Sequence, residues 1–136
     1  MQLVFEHEFV SIKHDKKNEL LQLTWEGYIT SEDYVKIMRQ MLEFTHKLKI
    51  ERWLSDARLA DEIQMGDMSW TINHMYDYLK GSGLIKIARV IKPEDSTQLN
   101  IDKLISSDRF KQQAQVSFQI FYDVEEAMNW LIPSKN

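Results

Sequence analysis

The pattern that most restricts the fold is an amphipathic helix that leads almost directly into a strand. Thr30 or Ser31 is a suitable helix cap, and two acidic residues follow in the first turn, where the helix dipole favours them. Residues 50–56 then predict a strand with a polar end, and a strand this close behind a helix is typical of a parallel β-α-β unit. The apolar residues of the helix recur at three- and four-residue spacing: Tyr34, Ile37, Met38, Met41, Leu42, Thr45 and Leu48.

The N-terminal residues predict an antiparallel hairpin. Residues 3–14 contain two short apolar bursts that do not alternate strictly, so we expect one strand that bends or bulges near His7 and Glu8. A turn cluster follows at 15–18, and residues 20–26 alternate as a second strand.

The rest of the chain continues to alternate between strands and helices. This alternation predicts an α/β fold in one domain over residues 1–136: a mainly parallel sheet of about five strands, an N-terminal antiparallel hairpin and four helices. The predicted elements after residue 58 are, in order, a loop over 59–65, a helix from Asp67 to a stop at 81–83, a strand over 84–91, a helix from Pro93, a strand over 115–122 and a helix from Asp123 to Pro133.

Composition excludes several functional classes. The net charge is −4 with acidic and basic residues interspersed along the chain, which disfavours nucleic-acid binding. The absence of cysteine removes disulfides, thiolate metal sites and cysteine nucleophiles. No apolar run approaches the roughly 20 residues that span a bilayer, and the first residues do not resemble a signal peptide, so we expect a cytoplasmic protein.

Motifs for catalysis or cofactor binding are not found in the sequence. The four histidines are scattered without the spacing of metal ligands, so we expect no metal site. No nucleophile motif occurs, and the glycines at 81 and 83 end a helix before a strand instead of opening a phosphate loop. The sequence therefore predicts a protein that is not an enzyme and has no cofactor.

Three segments resemble the bacterial SpoIIAA-like proteins of the STAS superfamily: residues 25–30, 53–58 and 121–131. The resemblance implies a β-α superhelical fold. The best-known members are anti-anti-sigma factors, with a phosphorylatable serine directly after the aspartate that ends the central strand. Here Ala57 follows Asp56, so that phosphoswitch is not carried over.

Asp56 and Arg58 are the first candidate site. They are predicted at the carboxyl end of a parallel strand, where α/β sheets usually bind ligands, and Arg58 could grip an anion or a carboxylate of a partner. The alternative is that Asp56 only bonds the backbone of its loop while Arg58 is solvated.

The predicted second helix carries the other candidates. Ser69 lies near its N-terminus and is a candidate phosphosite. Trp70 and His74 are four residues apart and share a face, which could line a pocket or a dimer contact. The alternative places Trp70 under the preceding loop and leaves His74 exposed.

The leading functional hypothesis is a non-enzymatic regulatory or protein-interaction module that docks through Asp56, Arg58 and Trp70. The alternative is a protein that binds a small apolar or lipid-like ligand in a cavity lined by methionines and aromatic residues. A homodimer through Trp70 and Tyr78, or through the edge of the N-terminal hairpin, is a further hypothesis.

Overall fold

The computed structural model describes residues 1–61, 79, 81–93 and 116–133, which form a six-stranded sheet with helices on both faces. The predicted α/β class and the mainly parallel sheet are confirmed. The described elements are β1 (Gln2–His7), β2 (Val10–Asp15), β3 (Leu20–Gly27), α1 (Ser31–Lys47), β4 (Arg52–Ala60), β5 (Lys86–Val90), β6 (Ser117–Phe121) and α2 (Val124–Leu131).

The strands lie in the sheet in the same order as in the sequence. β1, β2 and β3 pair antiparallel, whereas β3, β4, β5 and β6 pair parallel. The prediction of one bent strand over residues 3–14 was wrong, because the chain reverses between His7 and Val10 and forms two strands. The bulge is elsewhere, between Leu3 and Phe5 of β1. The reversal contains no Gly, Pro or Asn, so it carried no turn signal.

Helix α1 covers one face of the sheet, which we call the α1 face. Its predicted cap is confirmed, since the Thr30 hydroxyl accepts a hydrogen bond from the Asp33 backbone nitrogen at 3.2 Å. Two buried tryptophans have their indole nitrogens satisfied across this face: Trp53 donates to the Thr45 hydroxyl at 2.9 Å and Trp25 to the Ser55 hydroxyl at 3.1 Å. Every predicted apolar position of the helix except the half-buried Leu48 is buried: Tyr34, Ile37, Met38, Met41, Leu42 and Thr45.

Helix α2 covers the opposite face over β4, β5 and β6, and we call this the α2 face. The Asp123 carboxylate caps the helix by accepting from the Glu126 backbone nitrogen at 3.2 Å, as predicted. Leu54 of β4 and Leu131 of α2 are completely buried in one hydrophobic cluster on this face. Truncating either leucine to alanine would cost about 2–5 kcal/mol of folding free energy.

Two cations at the start of the parallel strands hold the C-terminal end of α2. Arg52 donates from Nε to the Leu131 carbonyl at 2.9 Å, and Lys86 donates from Nζ to the Trp130 carbonyl at 2.8 Å. The Lys86 ammonium also lies 5.0 Å from the centre of the Trp130 ring. Because helix C-termini leave carbonyls unsatisfied and carry partial negative charge, both cations stabilise the docked helix.

Two of the predicted helices lie partly or wholly outside the described residues. The helix predicted from Asp67 is described only at its end, where Leu79 is buried and Gly81 has the left-handed φ of +83° expected of a helix stop. The helix predicted from Pro93 lies outside the described residues. Strands predicted over 84–91 and 115–122 are present with shorter bounds.

Candidate functional site

Strand β4 does not end at Asp56, as the sequence predicted, but continues to Ala60. Thr24 of β3 pairs with Asp56 of β4, and Glu26 of β3 pairs with Leu59 of β4. The step between the two pairs is two residues on β3 but three residues on β4. One extra residue therefore bulges from β4 just after Asp56. Of the loop predicted over 59–65, Leu59 and Ala60 were wrong and residues 62–65 lie outside the described residues. The bulge breaks the alternation and places polar residues inside a strand, so the sequence pattern resembles the start of a loop.

Asp56 and Arg58 form a bidentate pair across this bulge. The Arg58 guanidinium donates from Nε to Asp56 Oδ1 and from Nη2 to Asp56 Oδ2, both at 2.9 Å. The Arg58 backbone nitrogen also donates to Asp56 Oδ1, at 3.2 Å. The hydrogen bond with Asp56 raises the pKa of Arg58 above its ordinary value, so the guanidinium stays charged. Asp56 bonds the backbone, as the alternative interpretation predicted, and it also orients the Arg58 guanidinium, which neither interpretation included. Recognition of an anion or a partner by Arg58 stays a prediction.

The pair is buried at one end and open at the other. The Asp56 side chain is 12% exposed and the Arg58 side chain 42% exposed. Asp56 pairs in register with Val90, and Val90 pairs with Phe121, two residues before the cap of α2. The negative charge of Asp123 also contributes to the raised pKa of Arg58. Arg58 therefore lies beside the N-terminus of α2, with its charged head accessible to solvent.

Three large apolar residues are exposed at the same end of the sheet, which we call the carboxyl edge because the parallel strands β3–β6 finish there. Leu59 is 63% exposed and lies next to Arg58. Tyr28 follows the last residue of β3 and is 56% exposed, and Tyr122 follows the last residue of β6 and is 50% exposed. None of the three was predicted as a site residue from the sequence, because only the strand register shows that they share an edge.

The burial of one cation, Arg89, was not predicted from the sequence. Arg89 of β5 is only 7% exposed and pairs in register with Ser55 on the α1 face. The sequence predicted this strand, but a single arginine within it carried no positional signal. Its burial makes Arg89 part of the packed sheet, whereas the exposed head of Arg58 lies on the α2 face.

The other candidate residues are not tested by the structure. Ser69, Trp70 and His74 lie outside the described residues, so their roles remain predictions. Within residues 1–61, 79, 81–93 and 116–133 no group of three or more metal-ligating side chains converges, and no described helix is long and apolar enough to cross a membrane.

A depression of about 620 Å³ lies along α1. Four of its five lining residues carry charged or titratable groups and it is open to solvent, so it is not the enclosed cavity that a lipid-like ligand would require. The lining residues are Arg39, Leu42, Glu43, His46 and Lys47.

Comparison with known proteins places this geometry in a fold family. No protein-family model matches the chain, and neither does any curated protein. The crystal structure of an uncharacterized DUF3478-family protein with a SpoIIAA-like fold, from Shewanella loihica PV-4, matches 94% of this chain and 98% of that chain at 17% identity, with a TM-score of 0.57. The chain has a SpoIIAA-like fold.

A second solved structure is more distant. The complex of the diguanylate cyclase SiaD with its activator SiaC from Pseudomonas aeruginosa contains a chain that matches 88% of this chain and 97% of its own length. The sequence identity is 10% and the TM-score 0.49, too low to establish a common fold.

The position that follows Asp56 has a structural role in this SpoIIAA-like sheet. Ala57 is 4% exposed and belongs to the hydrophobic cluster on the α1 face. A hydroxyl at this position would lie within the strand among apolar side chains, where a phosphate could be neither solvated nor reached. The packing around residue 57 therefore favours the small apolar Ala57 over the serine of the phosphoswitch pattern.

Proposed function

We propose that this SpoIIAA-like chain is a non-enzymatic regulatory or protein-interaction module that docks a partner protein at its carboxyl edge. The observation that carries the proposal is the oriented, half-open Arg58 beside the 63% exposed Leu59 on the same strand. Arginine and tyrosine are enriched at the energetic centres of protein interfaces. A rigid strand that presents both an arginine and apolar groups loses little conformational entropy on docking.

The pairing with Asp56 supports recognition of a surface more than capture of a free anion. Two of the guanidinium nitrogens already donate to the Asp56 carboxylate, and Asp123 adds further negative charge nearby. The pairing fixes the flat Arg58 guanidinium, and its face can stack against an aromatic or peptide group of a partner.

The test is residue-specific photo-crosslinking in the cells that produce the protein. A photoreactive amino acid at Leu59 should yield a discrete crosslinked partner, identified by mass spectrometry. The same amino acid at Leu3, an apolar residue of β1 that is 47% exposed, is the matched control and should yield none.

Replacement of Arg58 by alanine should reduce the crosslink at Leu59 about tenfold, which corresponds to a loss of about 1.4 kcal/mol in binding. A urea unfolding curve of the same variant checks that the protein remains folded. Equal crosslinking from Leu59 and Leu3, or a crosslink that is insensitive to Arg58→Ala, would contradict docking at this edge.

A further inference from the structure

The fold separates charges that are interspersed in the sequence. Among the described residues, the carboxyl edge gathers nine carboxylates from the β1–β2 turn, the strand ends and the N-termini of both helices. The exposed or half-exposed cations there are Arg58, already paired with Asp56, Lys36, already paired with Glu32 at 3.4 Å, and Lys92. Arg89 lies one register position inside the edge and is buried. The nine are Glu8, Glu26, Glu32, Asp33, Asp56, Asp61, Asp123, Glu125 and Glu126.

The opposite end of the sheet has the reverse balance. Three carboxylates lie there among the described residues, against six cations in the β2–β3 turn, at the end of α1 and at the starts of β4 and β5. The carboxylates are Asp15, Glu19 and Glu51, and the cations are Lys16, Lys17, Lys47, Lys49, Arg52 and Lys86. Each end exposes three large apolar residues, Tyr28, Leu59 and Tyr122 at the acidic end and Met1, Leu3 and Ile85 toward the basic end, so charge is what distinguishes the two ends.

The acidic and apolar groups at the carboxyl edge are direct neighbours. Glu26 pairs in register with Leu59, and both belong to the part of β3 and β4 that lies beyond the last residue of β5. The Asp61 backbone nitrogen donates to the Gly27 carbonyl at 2.8 Å, which places Tyr28 alongside the end of β4. Leu59 and Tyr28 are thus flanked by the exposed carboxylates of Glu26 and Asp61.

We infer that the partner of this edge presents a cationic segment in which lysine or arginine alternates with large apolar residues. This inference rests on the proposed function and adds the chemistry of the partner. The apolar side chains would pack on Leu59, Tyr28 and Tyr122, and the cations would face the surrounding carboxylates. An acidic segment would meet an excess of like charge at this edge, which costs affinity and slows association.

The test is a fluorescence titration with two labelled peptides of equal length. One alternates lysine and leucine, and the other alternates glutamate and leucine. The lysine peptide should bind saturably, and its affinity should fall at least tenfold between about 50 and about 500 mM NaCl, because salt screens exposed charges. Binding of the glutamate peptide, or of neither peptide, would overturn the inference.

Matched variants separate specific docking from general attraction of a cation to an acidic protein. Leu59→Ser and Glu26→Lys should each weaken binding of the lysine peptide about tenfold. Leu3→Ser and Glu19→Lys make the same chemical changes away from the carboxyl edge and should change it less than twofold. All four residues are exposed, so thermal melting should be unaffected. If the variants at the carboxyl edge and the control variants lose equal affinity for the lysine peptide, the inference is overturned.

Two further readouts keep this inference distinct from the proposed function. If the partner crosslinked at Leu59 contacts it through an acidic segment, docking at the edge stands and the inferred partner chemistry is overturned. If sedimentation shows salt-sensitive head-to-tail assembly of the chain, a second copy occupies the acidic edge with its own basic end, which also overturns the inference.

Discussion

Two arginines on strand β4 lie six residues apart on the same face of the sheet and have different kinds of partner. Arg52 donates to the Leu131 carbonyl at 2.9 Å and to the Asn18 carbonyl at 2.8 Å, so it joins α2 and the β2–β3 turn to the centre of the sheet. Arg58 donates to Asp56 of its own strand. The first arginine connects distant parts of the fold, whereas the second is oriented by a local contact and keeps its head in solvent.

These contacts distinguish a structural cation, Arg52, from a recognition candidate, Arg58, on one strand. Backbone carbonyls that lose a charged donor are left without compensation, so Arg52 contributes directly to folding free energy. A half-exposed pair between residues two positions apart contributes little, because solvent screens it and the chain already holds the partners close together. The geometry of Arg58 therefore calls for an explanation other than stability.

The largest effect is expected at Arg52. Replacement by alanine should lower the free energy of unfolding by about 2–3 kcal/mol, because two charge-assisted hydrogen bonds to backbone carbonyls are lost. Arg52→Lys should recover only part of this loss, since an ammonium cannot reproduce the fork that reaches both carbonyls. Urea denaturation measures both values. A loss below about 0.5 kcal/mol for Arg52→Ala would show that the two long-range contacts do not hold the fold together.

A smaller effect is expected from the Asp56–Arg58 pair. A double-mutant cycle with Asp56→Ala and Arg58→Ala should give a coupling of about 0.5–1 kcal/mol in the free energy of unfolding. The reason is the exposure of the Arg58 head, which is 42%. Denaturant curves of the two single variants and the double variant supply the cycle. A coupling of about 3 kcal/mol would make Arg58 as structural as Arg52 and remove the contrast.

The smallest effect concerns the turn that Arg52 holds. Asn18 donates through its side chain to Asp15 Oδ2 at 2.8 Å and through its backbone to Asp15 Oδ1 at 3.3 Å. The side-chain hydrogen bond is the main cause that lowers the pKa of Asp15, so the folded state favours the carboxylate. The resulting stability is present above the pKa of the unfolded chain, near 4, and is lost as the pH falls through the lowered folded value.

Asp15→Asn should therefore be less stable than the natural protein by a few tenths of a kcal/mol at about pH 6, and equally stable at about pH 2. Urea unfolding at the two pH values measures the difference. A gap that widens as the pH falls would contradict the sign of this linkage.

Much of the fold could be predicted from the sequence because local chemistry and tertiary packing agree there. The apolar spacing after Thr30 predicted α1, and the Asp123 cap predicted α2. The alternation of residues 53–56 also holds in β4, since Trp53 and Ser55 point to one side and Leu54 and Asp56 to the other. In these segments one periodicity runs without interruption, so the sequence pattern is sufficient.

The missed features depend on contacts between distant residues. The bulge after Asp56 is defined by the register against β3 and has no composition signal, so the strand was predicted too short and the exposure of Leu59 was not foreseen. The concentration of acids at one edge was hidden as well, because its members come from six separate segments of a chain whose charges alternate locally. Asp56 and Arg58 were named from the sequence, but their pairing came only from the structure.

Docking at the carboxyl edge can be located by a two-dimensional ¹H–¹⁵N NMR titration of the chain with the lysine–leucine peptide. We predict saturable shifts concentrated at the carboxyl edge, in residues 26–28, 56–61 and 122–126, with little change around Arg52. Shifts centred on the basic end of the sheet near Lys17, Lys49 and Arg52, or no saturable shifts at all, would contradict the assignment of docking to the edge that carries Arg58.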